Sequence, residues 1–480
     1  MDLAIVGAGV GGLVSALLLS KNGHQVTIYE KENHVGGRLT YQENGRYRID
    51  QGPTIVLLPE LLLSVLEEAG IPKEEIPLVP CEPLYDLHFH DGTTFTKYRD
   101  LPTQLRELEL KFPGESKNLL KYLSDMATVF ELGMEAFLGK TFKRKQDFLT
   151  IENIKLLAQS KAYKTLKNFN ASYFSHPKLQ EAYSLQSLYI GGSPYEVPAL
   201  YGLVSYSEHA HGIWYLKGGY ASLIPILESA CKKQGVKIKL QSNVDRLLIE
   251  DNVCKGLFMD NKMNFYDAVI FNGDFPHLYT LIGKKKTGKK FTPSSGCVLV
   301  YLGVSKRFPQ AKAHQFFLPK YFEKNMTEVF KTKKVPEDPS YYVFNPVALE
   351  DEAAPPGESV LYVLIPVPSG EQIDWGTSGP MLAEKVLTRA EKHFPGLRKA
   401  VEWMEIRTPA DAIRDGLYQG GSFGIAPNLF QSGGFRPQIS PFKIDRLYCV
   451  GASIHPGGGI PIVLQGARLL SELIEKELRV

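Results

Sequence analysis

The sequence predicts an α/β fold: a Rossmann-like dinucleotide-binding domain interrupted by a helical insertion and a mixed α+β region. Three observations predict it. Gly7-x-Gly9-x-x-Gly12 directly follows an apolar run at residues 3–6 that reads as a buried parallel strand, and it opens a helical run. Glu30 closes the next strand-like run, as the ribose-binding acid of such a unit does. Near the far end, an apolar run at 447–450 enters a Gly-rich loop, Gly451 to Gly459, and then a helix. The two ends therefore read as pieces of one domain, with the middle inserted.

The elements follow in order. Residues 11–21 read as a helix stopped by Gly23, and 25–30 as the next strand. Residues 46–49 suggest a short strand before Gly52-Pro53. Asp91-Gly92 between 85–90 and 93–98 signals a hairpin. From about 101 to 200 the pattern is largely helical, with Leu119, Leu120, Leu123, Met126 and Ala127 at helical spacing. Short strands return at 236–240, 246–250, 255–259 and 268–271, and again at 297–303, 341–344 and 360–367. A helix is expected at 381–393, ending near Pro395-Gly396, and a last one at 462–477. These readings divide the chain into a nucleotide-binding part (1–84), a mainly helical insertion (85–210), a second nucleotide-binding part (211–280), a mixed region (281–430) and a C-terminal nucleotide-binding part (431–480).

Composition bounds the function. The 480 residues have 44% hydrophobic and 22% charged content, the mix of a globular protein with a sizeable core. A net charge of +3 gives no pull toward nucleic acid. The basic runs at 284–290 and at Lys143-Arg144-Lys145 read as solvated faces, with an anionic membrane surface as the alternative. Cys81, Cys231, Cys254, Cys297 and Cys449 are widely spaced with no C-x-x-C, which argues against a disulfide framework and a zinc site and fits a reducing cytosol. Residues 3–19 are almost wholly apolar, yet they lack a basic start and carry Gly7, Gly9, Gly11 and Gly12, so they read as neither signal peptide nor membrane span. No other run reaches the ~18 apolar residues of a spanning helix. His88-x-His90 and His209-x-His211 lack a third ligand at metal-binding spacing, so no metal is expected.

The motifs carry the chemistry. Gly7 permits a tight turn, Gly9 lets backbone approach a pyrophosphate, and Gly12 lets helix and strand pack closely. The helix N-terminus offers N–H groups to phosphate. Glu30 suits ribose hydroxyls and disfavours a 2′-phosphate. FAD and NAD share this fingerprint, but Val35-Gly36-Gly37-Arg38 adds exposed backbone and a cation. It resembles an extension found in FAD-binding amine oxidases and carotenoid desaturases, as does Asp50-Gln51-Gly52-Pro53. In Val450-Gly451-Ala452-Ser453-x-His455-Pro456-Gly457-Gly458-Gly459-Ile460-Pro461, a second helix N-terminus can face a flavin. His455 reads either as a catalytic group or as a turn-shaping one.

With Tyr215-x-Lys217-Gly218-Gly219 added, the whole chain resembles the carotenoid desaturase family of flavoproteins. Ser187-Leu188-Tyr189-Ile190-Gly191 and Ile460-Pro461-Ile462-Val463-Leu464 look like the dehydrosqualene desaturases. The stretch from Ser294-Ser295-Gly296 to Leu302-Gly303-Val304 looks like sister enzymes that oxygenate a terminal methyl. The resemblance implies an FAD-binding domain with an inserted substrate domain. It implies FAD as cofactor, a long apolar isoprenoid as substrate, and a cytoplasmic enzyme held peripherally at the inner face of the cell membrane. Gly11, Lys31 and Val244 join the implied cofactor contacts. Hydride would go to the flavin and the proton to a base. Glu196 and Glu208 are the candidate bases, although each reads more readily as a surface or ion-paired residue. Tyr173, Phe174, Tyr183, Tyr189 and Tyr195 are the expected tunnel lining. Phe130, Leu132, Met134, Phe137 and Leu138 are the candidate membrane-facing residues. An amine-oxidase-like activity is the remaining enzymatic alternative, disfavoured by the His455-Pro456-Gly457-Gly458-Gly459 block.

Overall fold

A computed structural model describes residues 1–142, 145–284 and 290–478. Lys143 and Arg144, and most of the 284–290 basic run, lie outside these described residues.

The first unit is a five-stranded parallel sheet ordered Leu447–Cys449, Ala268–Phe271, Asp2–Val6, Gln25–Tyr29, Lys237–Lys239. Its central strands are covered on both faces, which is why Leu3, Ala4, Ile5 and Val269 are apolar without alternation and fully buried. Ile5 sits between Ile270 and Ile28 in register. Helix Val10–Lys21 is apolar almost all round and buried from Val10 to Leu19. It packs on the terminal helix Ile460–Leu478, so residues from both chain ends share one core. A three-stranded antiparallel sheet, Arg246–Glu250, Val253–Met259 and Lys262–Phe265, flanks this unit.

The second unit is a seven-stranded mixed sheet, ordered Val401–Arg407, Gly296–Val304, Ser359–Val367, Tyr341–Phe344, His314–Phe317, Tyr85–His88, Thr94–Lys97. The expected hairpin forms, and it pairs in parallel with His314–Phe317, so the segment opening at residue 85 contributes to this sheet as well as to helices. Alternation decides what each face meets. Val298, Val300, Tyr341, Val343, Leu361 and Val363 pack under helix Trp375–Ala390. Tyr301, Tyr342, Phe344 and Tyr362 face the other way, toward the helical insertion. That helix starts six residues before the expected 381, because Asp374 caps it by accepting from Gly376 N–H. Gly376, Gly379 and Pro380 hide its first turns from a propensity reading.

Candidate active site

Between the two units lies one cavity of about 1440 Å³. That exceeds the roughly 300–1,000 Å³ of an ordinary small-molecule site, so it has room for two occupants.

One end is glycine and backbone. Gly7 takes φ +103°, a left-handed conformation that favours glycine, at the turn between strand and helix. Gly9 and Gly36 form an isolated parallel bridge, and a Cβ on Gly37 would stand 3.3 Å from the Gly9 Cα, so the two glycine loops touch. Glu30 accepts the Ala8 N–H (2.7 Å) on one oxygen and the Glu32 N–H (3.0 Å) on the other, which fixes its carboxylate at the cavity edge. Arg38 donates to the Ser422 carbonyl at 2.7 Å and turns the rest of its guanidinium to the cavity. Burial pulls its pKa down, and Asp274 pulls it back up. Gly7, Gly9, Gly11, Glu30, Lys31, Gly37, Arg38, Gly52, Pro53 and Val244 all line this end, and so do Gly451, Ala452, Gly459, Ile460 and Pro461. Gly12 does not. Its N–H is taken by Asn272, and a Cβ there would press on the Gly7 carbonyl, so its role is close packing of helix on strand.

The residue that joins the two glycine junctions is Asn272, which the sequence reading passed over. Its Oδ1 accepts from Gly12 N–H (2.9 Å) and its Nδ2 donates to the Val450 carbonyl (3.0 Å). A Cβ on Gly9 or Gly11 would crowd its amide. Asp274 and Arg436 were also missed. Asp274 accepts from Ser453 Oγ and from Tyr418 N–H; buried Arg436 bonds the carbonyls of Gln431 and Ala452. Both hold the C-terminal loop in place. A further lock joins two quoted motifs. Asp50 accepts the N–H groups of Tyr220 (2.8 Å) and Ala221 (2.9 Å), and Gly219, at φ +81°, passes so close that a Cβ would sit 2.5 Å from the Asp50 Cγ.

The other end of the cavity is apolar. Its lining from Ile55 to Ser207 and from Cys297 to Pro366 carries no charged side chain among the described residues. Its aromatic wall is mainly the sheet: Phe316, Tyr342 and Tyr362, joined by Tyr189, whose ring stacks on Phe316 at 5.8 Å. Of the expected lining residues only Tyr189 reaches the cavity. Tyr183 and Phe174 instead pack with Tyr122 and Phe169 as a core of the helical insertion; Tyr173 turns its hydroxyl to Asp125, and Tyr195 also lies off the cavity. Phe130, Met134, Phe137 and Leu138 line the cavity rather than a flat outer face; Leu132 remains exposed. A period-two reading of residues 297–304 and 359–367 would have placed Leu299, Tyr362 and Leu364 on one face, but not Phe316 or Tyr342.

The three candidate catalytic groups separate. Glu196 is exposed and away from the cavity. Glu208 is fully buried behind the wall, paired with Lys97 at 2.8 Å and accepting from Tyr85 Oη at 2.8 Å. Burial pulls the Lys97 pKa down, and Glu208 pulls it back up. His455 does line the cavity. Its Nε2 bonds the Lys140 carbonyl at 3.0 Å, and burial lowers its pKa to about 4, so it is neutral at working pH and pins the helical insertion to the C-terminal loop.

Fold and site together define a flavin-dependent oxidoreductase: two backbone-lined helix N-termini at one end of a cavity, an uncharged slot at the other. The family model for flavin-containing amine oxidoreductases matches residues 10–474, and the chain belongs to that family. Within it the chain is 48% identical over 475 residues to a 4,4′-diapolycopen-4-al dehydrogenase of Metabacillus indicus, covering 99% of this chain and 97% of that one. It is 32% identical to a 4,4′-diapophytoene desaturase (4,4′-diaponeurosporene-forming) of Staphylococcus haemolyticus, covering 100% and 99%. A solved oxidoreductase from Methanosarcina mazei shares the fold, with TM-score 0.67, 18% identity and coverage of 98% and 100%.

The cofactor is FAD, and the site fits it. The glycine cradle around Gly7, Gly9 and Gly37 leaves no side chain between backbone and a diphosphate, Arg38 supplies a cation, and Glu30 has lone pairs left for ribose hydroxyls. When bound, FAD would supply the hydride acceptor. The glycine cradle, Arg38 and Glu30 would hold and orient it.

Proposed function

We propose that the chain oxidises a linear C30-type carotenoid precursor with FAD, removing hydrogen from neighbouring carbons to extend the conjugated chain. One observation carries this reading: the cofactor cradle opens without a partition into an uncharged slot walled by Phe316, Tyr342, Tyr362 and Tyr189. A polar amine would find no counter-charge there. An isoprenoid needs none, and its selectivity comes from shape.

A second reading has its own support. The relative at 48% identity acts, by its name, on an aldehyde-bearing diapocarotenoid, whereas the desaturase from Staphylococcus haemolyticus stands at 32%. Oxidation at the terminal carbon would use the same cradle and slot. The segments resembling the two activities touch: Ser295 N–H donates to the Gly191 carbonyl at 3.0 Å.

Pigment analysis separates the two. In a host accumulating 4,4′-diapophytoene, the first reading predicts products lighter by two hydrogens per step. In a host supplying diapolycopenal, the second predicts gain of one oxygen. A chain that leaves both unchanged, though loaded with FAD, overturns both.

We also propose that the enzyme docks on a bilayer at the cavity mouth. No helix among the described residues is long and apolar enough to span one. Leu149, Ile151, Ile154, Leu429 and Phe430 are exposed beside Phe148, Leu157 and Phe435, which line the cavity. Such a surface suits delivery of a substrate that cannot cross water.

A further inference from the structure

Removing hydrogen as hydride plus proton needs a proton acceptor, and among the described residues the substrate end of the cavity has no carboxylate in its wall. It does have a chain of hydrogen bonds leading out of it. Thr54 and Tyr342 both line the cavity. Thr54 Oγ1 lies 2.8 Å from Tyr342 Oη, and Tyr342 Oη lies 2.7 Å from His314 Nδ1. His314 is fully buried in the seven-stranded sheet, one strand over from Tyr342, with its ring nearly parallel to those of Tyr342 and Phe344. Its Nε2 meets the Cys81 thiol at 3.5 Å.

We propose that Tyr342 and His314 are the proton acceptor of the reaction, with Thr54 holding the phenol in place. The inference rests on the desaturase reading above. One C–H bond breaks with its electron pair leaving as hydride to FAD. A neighbouring C–H bond then breaks, its electron pair forms the new C=C bond, and its proton goes to the phenol oxygen of Tyr342. The proton already on that oxygen passes to Nδ1 of His314. After product leaves, the imidazolium returns its proton through Tyr342 to water entering the cavity.

The magnitudes favour so weak a base. Burial lowers the pKa of His314 to about 3, so it is unprotonated and ready at any working pH. A C–H next to an allylic cation is a far stronger acid than this imidazolium, so transfer is downhill even to such a poor acceptor. The aromatic faces of Tyr342, Phe316 and Tyr362 also suit a transient positive charge. Tyr342 touches the substrate and is the catalytic residue; Thr54 positions it.

The test uses the FAD-loaded enzyme mixed anaerobically with 4,4′-diapophytoene in detergent micelles, for wild type, Tyr342→Phe, His314→Gln and the double variant. Hydride loss to an allylic cation is uphill and reverses unless the proton is removed, so lasting flavin bleaching waits on the second C–H cleavage. FAD content and substrate Kd should stay within about threefold of wild type, while the rate of lasting bleaching falls about 10²–10⁴-fold in each single variant. The double variant should be no slower than the worse single, because the pair acts as a unit. Deuterium at the proton-losing carbon should slow the variants more than wild type, since that step has become limiting. Wild-type bleaching rates in both single variants, or slowing with no added isotope effect, would overturn the relay alone. Wild type failing to bleach with any linear isoprenoid would sink the desaturase reading and the relay with it.

Discussion

The amide of Asn272 sets the spacing between the N-terminal glycine turn and the C-terminal glycine loop, because one end bonds Gly12 N–H and the other the Val450 carbonyl. Replacing it with alanine strands both backbone groups, at about 1–3 kcal/mol each. Asn272→Ala should therefore weaken FAD binding by about 10–100-fold. Titrating the apoprotein with FAD and following quenching of flavin fluorescence checks this; an unchanged Kd would mean that the loops hold their spacing without the staple. Glu208 poses a different residue-scale question. Were it the base, Glu208→Gln would abolish flavin bleaching by substrate in a protein of normal stability. Its place beside Lys97, both fully buried, argues for the reverse. Removing one partner leaves an uncompensated buried charge, a loss of about 3–5 kcal/mol. The denaturation midpoint should drop sharply, while folded, FAD-loaded enzyme bleaches at the wild-type rate.

At the scale of elements, Asp50 ties the strand Arg48–Asp50 to the turn that starts helix Leu223–Lys233, and Gly219 is glycine because that carboxylate occupies the space of its Cβ. Burial raises the Asp50 pKa to about 7, against the lowering effect of the Ala221 and Tyr220 N–H groups. The folded state thus holds this proton more tightly than the unfolded chain does. Stability from this group is fully present below about pH 4 and is lost as pH rises to about 7. Over that window Asp50→Asn should flatten the decline seen in wild-type denaturation curves; parallel curves would show that Asp50 is ionised throughout. Asp50 and Gly219 were visible in the sequence as members of two motifs, but their contact was not, since 169 positions separate Asp50 from Gly219 and nothing local encodes pairing at that range. The same limit explains the cavity wall. Gly-rich turns announce themselves because few residues can adopt their backbone, so the cofactor end was legible. Phe316 and Tyr342 carry no such mark. They differ from Phe317 and Tyr341 in packing toward the helical insertion rather than under helix Trp375–Ala390, and that is fixed by register.

On the scale of the whole molecule, the chain closes on itself: strands from residues 2–6 and 447–449 flank Ala268–Phe271, and the cavity lining extends from that junction past the sheet to Phe148, Leu157 and Phe435. On the docking proposed above, a carotenoid precursor would enter it from a bilayer, and a passage through water would cost about 25 cal/mol for each Å² of chain exposed. The proposed docking surface would answer that cost. Ile151, three residues after the cavity-lining Phe148, is 69% exposed; Phe430, whose ring lies 6.4 Å from that of the cavity-lining Phe435, is 70% exposed. Each would contribute roughly 1.5–3 kcal/mol on entering lipid. The double substitution Ile151→Asp, Phe430→Asp should therefore lower partitioning onto phosphatidylcholine vesicles at least about tenfold in a flotation assay, by removing apolar burial and adding charges that resist it. Neither side chain lines the cavity, so FAD content and melting temperature should hold, and turnover on micellar substrate should change less than turnover on vesicle-borne substrate. Equal losses in both assays would place the damage inside the cavity. Undiminished flotation would move the docking face elsewhere, with exposed Leu132 and Leu120 on helix Ser116–Gly133 the next to be replaced.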